Sequence, residues 1–142
     1  MASLRSFLLI GALLSAATVS SARPPDVGHP IIGKWTLTTT DSACTESWEF
    51  RPDGTTHNVS GSEESTSTYE ISELANPVGG YTLIDTITKT NGKPDCTGNR
   101  SPVGDRVELY LLPITTGGFM VCPTLDGAAC IGSMFRDVAH DS

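Results

Sequence analysis

Beyond residue 22 the apolar residues alternate with polar ones in short runs, and no stretch keeps a helical period over three turns. Trp35 and Leu37 alternate with Lys34, Thr36 and Thr38, which predicts a first strand over residues 33–39 with the apolar pair on one face. Along residues 46–51 the same period aims Trp48 and Phe50 inward and Ser47, Glu49 and Arg51 outward. Residues 55–60 make a third strand too polar for its facing to be read. Tyr69 and Ile71 share a face of a fourth, over 65–72, and residues 81–90 form the fifth. Val107, Leu109 and Leu111 alternate with Arg106, Glu108 and Tyr110 along 105–112, and runs over 119–122 and 133–138 bring the number of strands to eight.

Turn chemistry separates these runs. Arg51-Pro52-Asp53-Gly54 presets a tight turn through its proline and frees positive φ at its glycine. Residues 61–64 form a loop that holds Glu63 and Glu64, residues 76–80 close another, and residues 91–104 make a long one carrying Cys96. Eight strands joined in sequence predict an all-β fold, an eight-stranded antiparallel up-and-down β-barrel, because closure removes the sticky edges of a meander. In such a barrel connections 1-2, 3-4, 5-6 and 7-8 emerge at one end. Three prolines and a glycine in residues 23–30 predict an extended N-terminal arm leaving the barrel domain of residues 31–142.

Cys44, Cys96, Cys122 and Cys130 permit three pairings, and the sequence alone does not choose among them. Cys44 with Cys96 and Cys122 with Cys130 is the most economical arrangement, and it places both disulfides at one rim. In the chain-entropy account the longer loop contributes about 4 kcal/mol and the shorter about 2.5 kcal/mol. Zinc is the competing use of these thiols, but no Cys-x-x-Cys pair occurs.

Residues 1–22 read as a signal peptide: basic Arg5, an apolar run from Phe7 to Val19, and a small-residue cleavage site at Ser20-Ser21-Ala22. The run is short for a membrane span, and no cysteine at the cleavage point offers a lipid anchor. The expected product is therefore a secreted or periplasmic single domain with no stable membrane anchor. The net charge of −7 becomes −8 when Arg5 leaves with the signal peptide, which argues against nucleic acid as a partner.

Gly33-Lys34-Trp35, following the N-terminal arm, resembles the Gly-x-Trp opening of lipocalins and related calycin-type barrels. Arg136, in Ser133-Met134-Phe135-Arg136, falls where that family places a basic residue over the tryptophan. The resemblance implies structural roles for Gly33, Trp35 and Arg136, with a cation over the indole adding about 0.5 to 2 kcal/mol at the narrow end. It points to compact lipocalin-like proteins secreted by bacteria. Periplasmic metalloprotease inhibitors are similar small barrels that insert an N-terminal arm into the protease cleft.

The function expected from these features is binding of a small, partly apolar molecule, hydrophobic or amphipathic, by Trp48, Phe50, Tyr69 and Tyr81. The alternative is an inhibitor or immunity-type protein that meets a protein target through its arm or rim loops. No enzyme is expected: no nucleophile elbow or His-Glu-x-x-His occurs, and adjacent Glu63 and Glu64 point apart. His57 reads as a solvated strand residue, and His29 and His140 as mobile near the ends, so no metal or cofactor is expected.

Overall fold

Alternation and turn chemistry yield eight strands in a computed structural model that describes residues 24–41 and 43–138. They are β1 (Gly33–Thr39), β2 (Thr45–Phe50), β3 (Thr55–Ser60), β4 (Glu63–Glu73), β5 (Tyr81–Thr90), β6 (Arg106–Pro113), β7 (Phe119–Cys122) and β8 (Gly132–Arg136). Each pairs antiparallel with the next, and β8 pairs back onto β1, so the sheet is a closed barrel. Trp35 lies opposite Trp48 on one side and Arg136 on the other. The proposed signal peptide, Arg23 and His140 lie outside the described residues.

Inside the barrel the side chains sort by height. Along β4 the inward series runs Glu63, Ser65, Ser67, Tyr69, Ile71, from polar at the rim to apolar at the base, and all five are buried. The apolar half is a continuous core that includes Trp35, Leu37, Phe50, Leu83, Leu111 and Met134. Phe50 and Tyr69 meet edge to face at 5.1 Å, and the Tyr69 hydroxyl donates to the carbonyl of Arg51 at 2.8 Å. Burial, with the Asp53 carboxylate nearby, pushes the Tyr69 phenol up to about 12, so it remains a donor. That bond ties β4 to the predicted Arg51–Gly54 turn, where the amide of Gly54 donates to the carbonyl of Arg51.

The base is closed by the segment ahead of β1. Residues 24–30, expected to extend away as an arm, instead turn beneath the barrel: the His29 amide donates to Asp26 and the Ile32 amide to His29, and Ile31 is 0% exposed. The physical reason is a pair of donors at the base that need acceptors. The Trp35 indole N–H donates to the carbonyl of Ile31 at 2.7 Å, and the Arg136 guanidinium donates to the carbonyls of Pro30 and Ile32. Arg136 lies 4.5 Å from the centroid of the Trp35 ring. Gly33 makes this stack possible, since a Cβ there would strike the Arg136 guanidinium, and its φ of +133° is one that L side chains rarely adopt. His29, expected to be mobile, is half-buried with its ring 4.8 Å from Tyr81. Desolvation there lowers its pKa against the opposing pull of Glu73 and Asp26.

At the other end two disulfides, Cys44–Cys96 and Cys122–Cys130, occupy the rim. The first joins the β1–β2 connection to the β5–β6 loop, with Cα atoms 5.6 Å apart, and the second closes the β7–β8 connection on itself. Disulfides of this kind belong to an oxidising, exported environment. No helix among the described residues is long and apolar enough to cross a membrane.

Candidate functional site: the polar cavity at the mouth

Between the apolar core and the rim lies a cavity of about 160 Å³. Its walls come from Glu46 and Trp48 of β2, Asn58 and Ser60 of β3, Glu63 and Ser65 of β4, Asp85 and Ile87 of β5, and Val107 of β6. The β5–β6 loop adds Asp95 and Ser101 from above. That loop is held down by Cys44–Cys96 and by a hydrogen bond from the Cys96 amide to the Ser60 hydroxyl at 3.3 Å.

Why these residues point inward follows from the strand period. Glu46, Trp48 and Phe50 are two apart on β2, as are Leu83, Asp85 and Ile87 on β5, so each polar residue shares a face with core residues. The Glu46 carboxylate is fully engaged: one oxygen accepts from the Trp48 indole at 2.8 Å and the other from the Ser60 hydroxyl at 3.0 Å. Asp85, 6% exposed, accepts from the Thr56 hydroxyl at 3.1 Å. Burial raises its pKa, and the neighbouring Ser67 and Thr56 hydroxyls offset part of that rise.

Asp95 behaves differently. Its partial burial acts to raise its pKa, but hydrogen bonds from Thr97, Asn99 and Gly98 outweigh this and hold the carboxyl below the usual range. Glu63 is 5% exposed; one carboxylate oxygen lies 3.5 Å from the Ser101 hydroxyl and the other has no hydrogen-bond partner. Asn58 likewise leaves its side-chain oxygen buried and unpaired.

Of the four aromatic residues expected to line a ligand site, only Trp48 is part of this wall. Phe50 and Tyr69 continue downward from it as a packed aromatic series, with Trp48 and Phe50 centroids 6.0 Å apart. Tyr81 stands apart at the base, against His29 and Phe119. The inward carboxylates carry no apolar mark of the inner face, so the hydrophobic pattern does not point to them. Period-two parity from Trp48, Leu83 and Tyr69 reaches Glu46, Asp85 and Glu63 without any further signal.

Glu63 also corrects a boundary, since residues 63 and 64 belong to β4 rather than to a loop. They do point apart: Glu64 faces outward and pairs with the half-buried His57 at 2.8 Å. Two larger depressions, of about 270 Å³ each, lie on the outer wall, one lined by His57, Glu64 and Lys89 and the other by Glu70, Ile84 and Arg106. Each brings acidic and basic side chains together on the outer face of the sheet.

No protein-family model, curated protein or solved structure matches this chain.

Proposed function

We propose that this chain is an exported, lipocalin-like binding protein, periplasmic or extracellular, that holds one small and partly apolar molecule in the mouth of its barrel. The observation that carries this reading is the interior cavity, where buried acceptors of Glu63 and Asn58 stand unpaired beside the indole of Trp48. Buried polar atoms cost stability when unpaired, so an interior that keeps them is shaped for something that pairs them. Its volume of about 160 Å³ is below the roughly 300 Å³ at which drug-sized pockets begin, which limits the occupant to a small molecule. Trp48, Ile87 and Val107 supply apolar contact, and the disulfide-held β5–β6 loop is already ordered over the opening, which reduces the ordering cost of binding.

Tryptophan emission tests the proposal. Against a set of soluble molecules of up to about ten heavy atoms, at least one class is expected to shift or quench emission, and Trp48→Phe removes that response while leaving the circular dichroism intact. If amide chemical shifts of the rim and upper strands stay unmoved by every compound at millimolar concentration, the binding role falls.

A further inference from the structure

The cavity is chemically one-sided. Glu46, Glu63, Asp85 and Asp95 contribute carboxylates to its wall, and among the described residues no lysine, arginine or histidine lines it. Glu46 is satisfied by Trp48 and Ser60, and Asp95 accepts from its own loop through Thr97 and Asn99. What remains unpaired is an oxygen of Glu63 and the side-chain oxygen of Asn58, both acceptors. The complement of two lone acceptors in a field of carboxylates is a group that brings N–H donors and positive charge.

Resting on the small-molecule reading above, we propose that the occupant is a small organic cation, an ammonium group on a short apolar body, whose N–H groups donate to Glu63 and Asn58. Trp48 supplies an aromatic wall of the kind that attracts ammonium groups, and Ile87 and Val107 meet the apolar remainder. A cavity of about 150 Å³ accommodates benzene, so a single ring or a short alkyl chain bearing an amine matches the space.

A bare metal ion fits less well, because the carboxylates surround the cavity without converging. Among the described residues, only Cys44, Glu46 and Cys96 bring three ligating atoms within 4.8 Å of one another, and those two sulfurs are bonded to each other. The buried carboxylate of Asp85 is a standing cost to the fold that a bound cation offsets.

Calorimetry on the oxidised protein at neutral pH and moderate salt compares benzylamine with its uncharged counterpart benzyl alcohol and with benzoate, and butylamine with butanol. The expected result is at least tenfold tighter binding of each amine than of its alcohol, with no heat from benzoate. Glu63→Gln is expected to reduce the preference for amine about tenfold, and the wild-type comparison decides the matter even if that variant folds poorly. Equal affinity for amine and alcohol overturns the cation proposal while the binding reading stands. Silence from all five compounds overturns both. Calcium chloride that binds in the micromolar range and displaces benzylamine overturns the organic-cation proposal in favour of a metal site.

Discussion

Asp85 illustrates how one side chain links stability to the site. It stands on β5 among core residues, accepts from Thr56, and shares the cavity with Glu46, Glu63 and Asp95. Its pKa is raised chiefly by burial. A carboxyl with a folded-state pKa above its unfolded value binds more protons when native, so its cost is fully present above the folded value and absent below the unfolded one. Asp85→Asn is therefore expected to stabilise the protein at pH 7 by about 1 kcal/mol, which corresponds to about 4 °C in Tm. That gain shrinks as pH falls through the carboxylate range. Calorimetric melting of both proteins at pH 7 and near pH 3 measures it, and an equal gain at both pH values would refute the assignment.

At the scale of elements, one close backbone approach lies where the β3–β4 turn meets the β5–β6 loop. Gly61 has φ +57°, and a Cβ there would come within 2.8 Å of the Cys96 backbone nitrogen. Gly92 has φ +71° but open space around it, so it separates backbone strain from collision. Gly92→Ala is expected to cost about 1 kcal/mol, and Gly61→Ala about 1 to 2 kcal/mol more, as read from urea midpoints. Equal costs would mean the loop yields freely.

The strands themselves were largely legible. β1, β3, β5 and β7 have the expected bounds residue for residue, because turn residues bracket them, and in β1 side chains of opposite character also fall on opposite faces. β4 starts two residues before its expected position, since Glu63 and Glu64 carry no apolar signature. For the same reason the candidate site is only partly legible: Trp48 stands out by its aromatic ring, whereas its polar neighbours face inward by strand parity alone and carry no apolar mark. Residues 24–30 carry the composition of an extended arm but turn beneath the barrel. Their prolines describe local preference, while their position is set by the distant donors of Trp35 and Arg136, a tertiary effect that overrides it.

The whole molecule has two unlike poles, a base packed with aromatic rings and a rim held by disulfides. The two bridges enclose loops of very different length, with sequence separations of 52 and 8. Replacing Cys44 and Cys96 by serine is expected to lower unfolding free energy by about 4 kcal/mol, against about 2.5 kcal/mol for Cys122 and Cys130, measured by denaturant titration. Only the first pair holds down the loop bearing Asp95 and Ser101, so only its loss is expected to weaken amine affinity, by tenfold or more, in the same calorimetric assay. An indifferent affinity would show that the loop orders without its bridge.

The polypeptide reaches β1 from beneath, with Pro24 beside Gly54 and Ile31 sealed under the indole of Trp35. A tether attached just ahead of Pro24 therefore starts from the closed pole. Anchored to a bead or sensor chip by that end, the molecule presents its opening to the surrounding fluid, with the attachment and the cup facing opposite ways.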